Sequence, residues 1–395
     1  MPQRFASSDA GDLYSRSAIL DPYPHYSRLR AQGPVVWLER HKVFALPRYA
    51  ECKAALLDDS TFVSGAGVAL NPVTNRLARG TTLNSDGAQH DERRKLVAHR
   101  LTPRALREMH DQVDAQAGRV VASALERGRI DGVEDLATAL PMSIVPDLVG
   151  WPEEGRDRLL AWGAATFDAL GPMNGQAVRS IRPSVQMLRY AHGVAKDRRL
   201  REGSLGGDLL QAVDEGRLDA AECPKLLVDY LAPSIDTTLS AIASALYLFA
   251  LHPDQWQALR ADRGLLSNAI NEVVRLESPL RAFSRKVAAD TTLADVELPA
   301  GSRVLVMYAS ANRDELVWDS PEAFDITRDA TQQLGFGHGA HGCAGQGLAR
   351  LETRTILGHL LDGVERIELT GKPVWAVNNI IHRLEHLPLE LIPAR

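Results

Sequence analysis

The stretch LGFGHGAHGCAGQGLARLE, Leu334 to Glu352, sets Cys343 among glycines and directly ahead of an amphipathic run, QGLARLETRTILGHLL. A cysteine so placed has its sulfur near a helix N-terminus, where unpaired backbone N–H groups and the helix dipole favour a thiolate. Gly337, Gly339, Gly342 and Gly345 permit tight turns, some at positive φ, and let the backbone approach something flat and bulky. Cys52 and Cys223 have no paired spacing with it, so neither a disulfide framework nor a zinc cluster is expected. A lone buried cysteine needs no ligand, but Phe336, Gly337, Gly339, His341, Cys343 and Gly345 stand together at fixed offsets. A large planar ligand bonded to sulfur fits that pattern.

Outward from this loop, the chain of 395 residues is 45% hydrophobic and 24% charged, with a formal net charge of -5. That balance argues against nucleic-acid binding, which calls for clustered Lys and Arg in a basic chain. The start, MPQRFASSDAGDLYSRS, lacks a secretory layout. No apolar stretch is read as long enough to span a bilayer, so a cytoplasmic protein without a membrane partner is expected.

Before the loop, DPYPHYSRLRAQGPVVWLERHKVFALPRYAECKAALLD reads as a short helix, two strands turned at Glu39 to His41, and a second helix. From Ala88 to about Leu276, Leu, Val and Ala recur at helical spacing, broken at Pro103, Gly132, Pro152, Gly171 and Pro224. Past Pro279 come short β-prone pieces, then the cysteine loop, a helix from Gly345 to about Leu361 and a β-prone tail. Because both ends are β-prone around a helical middle, the expected fold is α+β, mainly α, as one interwoven domain over residues 1–395.

The cysteine segment resembles the haem-binding signature of cytochromes P450, and the resemblance implies their fold: a triangular helix-rich body with small sheets from both ends. It also implies that Cys343 is the axial thiolate of haem b, flanked by Phe336, Gly337 and Gly345. Further marks stand apart in the chain. EVVR holds Glu272 and Arg275 one helical turn apart, and Arg328 in FDITRDA would complete the family's structural triad. HDERR holds His90 and Arg94 on one helical face; with Arg285 and His341 they would be four donors for two propionates. LLVDYLAPSIDTTLSAIASALYLFAL looks like the family's long central helix, with Asp236 and Thr237 as its acid–alcohol pair: Thr237 would hold dioxygen and Asp236 would relay protons. The Thr hydroxyl would otherwise back-bond within the helix. Pro233 and Ser234 depart from the family's usual small residues there. They predict an opening of the helix, with the Asp229 carbonyl freed and Ser234 offering an extra hydroxyl near the oxygen.

Segments that wall the pocket in this family supply Val68, Leu70, Phe167, Leu170, Ala232, Leu280, Phe283, Ile380 and Ile381 here, suited to a compact ring. Over nearly its whole length the chain is similar to bacterial P450s that oxidise para-substituted benzoates, as in GPMN, ESPLRAFSR, SANRD and NNIIHRLEHLP. The implied reaction is hydroxylation, or O-demethylation where the carbon attacked is a methoxy group. That branch clamps the carboxylate with basic and hydroxyl groups where this chain has Ala66, Ala69, Val228 and Asp229. A buried carboxylate without a cation costs several kcal/mol. Either Arg281 or Arg76 supplies the charge, or the substrate is a neutral or phenolic aryl ether, to which Asp229 inclines the balance.

Electrons would come from NAD(P)H through a ferredoxin reductase and a ferredoxin, since the chain has no flavin-type glycine motif and no iron–sulfur cysteine set. A basic docking face of Arg93, Lys95, Arg100, Arg104, Arg350 and Arg354 is one expectation for the ferredoxin. Rival functions are a peroxide-driven peroxygenase and a haem sensor or carrier without turnover; the Asp236–Thr237 pair argues against both.

Overall fold

A computed structural model describes residues 6–394. Seven helices frame the region around Cys343: α1 Gly87–Ala98, α2 Pro103–Arg127, α3 Leu159–Ala169, α4 Gly175–Lys196, α5 Cys223–Leu251, α6 Leu266–Leu276 and α7 Gln346–Gly363. Prolines open α2 and α5 in their first turns, where the missing N–H would have no partner anyway. Gly128, at φ 69, ends α2.

Leu, Ile and Ala residues on every side of α5 make it the axis of the molecule, and α3, α4, α6 and α7 all pack on it. By length and composition α5 would also cross a bilayer, which corrects the reading that no stretch is so long; most of it lies inside the protein.

The hairpin expected around Glu39 to His41 is present: Val36–Leu38 pairs antiparallel with Val43–Leu46. Its sheet draws on both ends of the chain, in the order Ser7–Asp9, Val36–Leu38, Val43–Leu46, Arg303–Val306, Phe283–Val287, Phe62–Val63. Val43–Leu46 runs parallel to Arg303–Val306, with Phe44 opposite Val304. Phe283–Val287 pairs antiparallel with Arg303–Val306, Arg285 opposite Val304, which leaves Arg285 close enough to His341 for its charge to act there.

One strand lies inside the block read as helical. Arg129–Asp131 pairs antiparallel with the C-terminal Pro388–Pro393, setting Leu389 opposite Ile130. A three-residue strand with charged ends has no alternation to detect, and its partner is more than 250 residues away. A π-helical turn, Gly132–Thr138, follows it.

Candidate active site

Helix α7 begins at Gln346 with Gly345 as its cap, so the Cys343 sulfur sits at a helix N-terminus as the spacing predicts. The Cys343 N–H donates to the Phe336 carbonyl at 2.8 Å, closing the loop on itself. Gly337 and Gly339 both stand at φ 69, and a Cβ on Gly339 would collide with the Leu56 carbonyl. Gly342 and Gly345 do not use positive φ; at Gly345 a Cβ would meet only open space. The Arg350 guanidinium lies 4.4 Å over the Phe336 ring.

Burial raises the Cys343 thiol above its ordinary range, although the N–H groups of Gly345 and Gln346 and the charges of Arg94 and Arg350 pull the other way. The helix end alone therefore does not make the thiolate. A bound cation, which deprotonates a ligating thiol outright, would. Cys52 and Cys223 are buried elsewhere, and burial pushes their thiols up too, Cys223 to about 11.

Beside the loop, His90 and His341 bring their ring centroids to 4.3 Å. Burial and the charges of Arg285, His90 and Arg94 push His341 down to about 3, and its buried Nε2 has no hydrogen-bond partner. Asp86 Oδ1 is 3.7 Å from that nitrogen but also accepts from the Ser64 N–H. Arg285 donates to the Ser284 carbonyl. Like-charged groups crowded together with an orphaned ring nitrogen suit the two carboxylates of a haem. Arg94 stands in the same cluster, and its guanidinium also clasps the loop, donating to Gly342 O at 2.8 Å and Ala340 O at 3.2 Å.

Glu272 and Arg275 are both fully buried and share two hydrogen bonds, at 2.7 and 2.8 Å. Arg328 Nε reaches Glu272 at 3.2 Å, and Arg275 also donates to the carbonyls of Asn312, Pro321 and Ala323. The triad ties α6 to the coil ahead of the cysteine loop.

The opening expected at Pro233 is not there. α5 is continuous from Cys223 to Leu251 through the proline. Pro233 has no N–H for the Asp229 carbonyl, so that carbonyl loses its helical bond as expected, yet the helix runs on past it. Ser234 Oγ donates to Tyr230 O at 2.6 Å and Thr237 Oγ1 to Pro233 O at 2.7 Å, so both hydroxyls back-bond along the helix. Each hydroxyl donates one turn back and keeps its oxygen lone pairs as acceptors.

Asp236 is fully buried with no hydrogen bond to either oxygen, and Arg383 Nε stands 3.2 Å from Oδ1. Burial outweighs that cation and lifts Asp236 to about 6. Arg383 comes from the C-terminal tail, where nothing in LEHLP-type β patterning signals a partner for α5.

Val68, Phe167, Leu170, Phe283, Ile380 and Ile381 join one buried cluster, with Leu280 packed against it and bridged to Ile381. Ala232 instead belongs to the main core around α5, and Leu70 packs toward the N-terminal cluster. Loop 66–69 is fixed by Arg303, which donates to Ala66 O and Gly67 O at 2.8 and 2.7 Å.

Neither candidate cation for a substrate carboxylate reaches this cluster free. Arg281 is buried and donates to the carbonyls of Ile19 and Asn378, and Arg76 lies exposed on the short helix Pro72–Leu77. Asp229 does not face a ligand either: its carboxylate accepts from the N–H groups of Thr82 and Leu83, and burial raises it to about 6. Asp168, on α3, accepts from the Asn379 N–H at 2.8 Å and is likewise raised by burial to about 6. The basic docking face is also thinner than expected. Arg93 pairs with Glu222, Arg100 with Asp208 and Arg104 with Glu108, and Arg350 is half-buried over Phe336 and donates to Asn271, leaving Lys95 and Arg354 exposed.

The family model for cytochrome P450 matches residues 196–365. Cytochrome P450 CYP199A2 of Rhodopseudomonas palustris is 36% identical over 387 residues, 97% of this chain and 94% of that protein. The cytochrome P450 monooxygenase PikC of Streptomyces venezuelae is 33% identical over 93% of this chain and 91% of its own. Among solved structures, Mycobacterium marinum cytochrome P450 CYP268A2 in complex with pseudoionone superposes with a TM-score of 0.88 at 31% identity, covering 97% of this chain and 99% of that one. The chain therefore belongs to the cytochrome P450 family and is a monooxygenase built to carry a haem on a cysteine thiolate.

Proposed function

We propose that Cys343 is the axial ligand and that the enzyme hydroxylates or O-demethylates a small, uncharged aromatic ether such as a methoxyphenol. The haem, when bound, supplies the oxidising chemistry that inserts one oxygen atom from dioxygen into a C–H bond. His90, Arg94, Arg285 and His341 hold its carboxylates, Arg94 and the Phe336–Arg350 stack also brace the loop, and Gly337 and Gly345 leave room for the macrocycle. Glu272, Arg275 and Arg328 fix the coil behind it. Asp236 takes and releases the protons the reaction consumes, and Thr237 presents its hydroxyl on the same helix turn.

The observation that carries the substrate reading is the apolar cluster of Val68, Phe167, Leu170, Phe283, Ile380 and Ile381, with Leu280 at its edge. Arg281, the nearest candidate clamp, is already spent on backbone carbonyls. An anion there would be buried without compensation. Leu70 and Ala232 border this space from neighbouring clusters. Electrons arrive from NAD(P)H by way of a reductase and a ferredoxin, docking near Lys95 and Arg354.

A haem spin-state titration tests the reading. Methoxyphenols and methoxybenzene should drive the high-spin shift while 4-methoxybenzoate does not. A shift with the benzoate alone would overturn it in favour of the charged substrate that the family branch implies. Cys343→Ala should abolish the red-shifted carbon monoxide band of the reduced protein; its survival would refute the ligand assignment.

A further inference from the structure

Helix α4 carries two apolar faces. Ala177, Ser180, Met187, Ala191 and Val194 are buried, and the helix packs on α3 and α5. On the outer side Val178, Ile181, Val185 and Leu188 are 37% to 56% exposed. Their spacing of three, four and three places them in a sector of about 80° and along about 15 Å of helix. The core requirement of α4 is met by the other face, so this stripe has no fold-level reason to be apolar. Met173, in the turn between α3 and α4, is also 53% exposed.

Charge decides what covers the stripe. α4 contains Arg179, Arg182, Arg189 and Lys196 and no Asp or Glu, in a chain whose net charge is -5. Arg182, Arg189 and Lys196 are exposed and make no ion pair among the described residues; Arg179 exerts its charge on Asp168. A second copy would set arginines against arginines across the seam. A single convex helix also offers no groove for a rigid partner. An apolar strip beside unpaired arginines is the pattern of a helix that rests on an anionic bilayer, side chains in the acyl boundary and guanidinium groups at the phosphates.

We propose that the outer face of α4 docks this enzyme peripherally on membranes containing anionic lipid. This contact needs no span, and it departs from the sequence expectation of no membrane partner, which rested on the reading that no stretch could cross a bilayer. The test is flotation of the haem-loaded protein with phosphatidylcholine vesicles, with and without phosphatidylglycerol. Binding to the anionic vesicles only, weakened by salt, is expected. Arg182→Glu with Arg189→Glu should lower the partition by roughly thirtyfold or more, from about fivefold per lost cation. Ile181→Ser with Leu188→Ser should also lower it, and both variants should keep the parent carbon monoxide spectrum and melting temperature. Absence of vesicle binding by the parent, or equal binding by both variants, would overturn the proposal. So would a dimer in sedimentation that Ile181→Ser with Leu188→Ser disperses while no vesicle binding is seen, which would give the face to a second copy.

Discussion

Asp236 and Glu352 are fully buried acids whose oxygens have no hydrogen-bond partner, and their surroundings treat them differently. Asp236 has Arg383 beside it, and burial outweighs that cation to bring it to about 6. Asp236→Asn should slow turnover by about 100-fold. Thr237→Ala should leave reductant oxidation running while more of it ends as released peroxide, read as product formed per NAD(P)H consumed; unchanged coupling would remove the role given to Thr237. Among the described residues no cation acts on Glu352, on α7, and burial alone lifts it to about 8. Its unfolded value is 4.5, so the folded protein holds a proton that the unfolded chain loses between pH 4.5 and about 8. Stability therefore falls as pH rises through that window, by about 1.4 kcal/mol per unit at most. Glu352→Gln cannot ionise and should gain melting temperature relative to the parent on going from pH 5 to 8.5; parallel curves would show that Glu352 is not held neutral. Acid identity was legible at Asp236 through its DTT context. Nothing local marked Glu352 or the reach of Arg383, because burial is set by segments far away in the chain.

At the scale of elements, α5 shows how packing overrides local propensity. Proline inside a helix costs about 3 kcal/mol relative to alanine, and an opened helix was the reasonable expectation at Pro233. The observed rod is continuous because its neighbours α3, α4, α6 and α7 pack along it and outweigh the one bond lost at Asp229. Pro233→Ala should restore the backbone bond to Asp229 and stabilise the protein by about 2 kcal/mol in denaturant unfolding. A loss of stability would mean that the ring's packing outweighs the missing bond. The hairpin at Val36–Leu38 and Val43–Leu46 and the start of α7 were legible because turn residues and apolar periodicity act locally. The strand Arg129–Asp131 was not, since only its partner defines it.

For the molecule as a whole, the C-terminal strand closes the sheet that joins α2's end to the tail. Leu389 and Leu391 are buried in pairings with Arg129–Asp131 and Val364–Leu369. Removing residues from Pro388 onward should cost at least about 3 kcal/mol from those two side chains alone, seen as a lower melting temperature and a smaller haem-loaded fraction. A truncated protein that melts like the parent would show this sheet to be dispensable. The sequence by itself determined the family, the haem-ligating cysteine loop, the Glu272–Arg275 pair and the helical middle, because each is written in residues close together or at fixed spacing. Only the tertiary structure decided which arginines are free. Arg281 looked like a substrate clamp and is locked to Ile19 and Asn378, whereas Arg383 in the tail came to Asp236. A charge's partner depends on what the fold brings within a few ångströms of it, and that proximity is set by long-range packing.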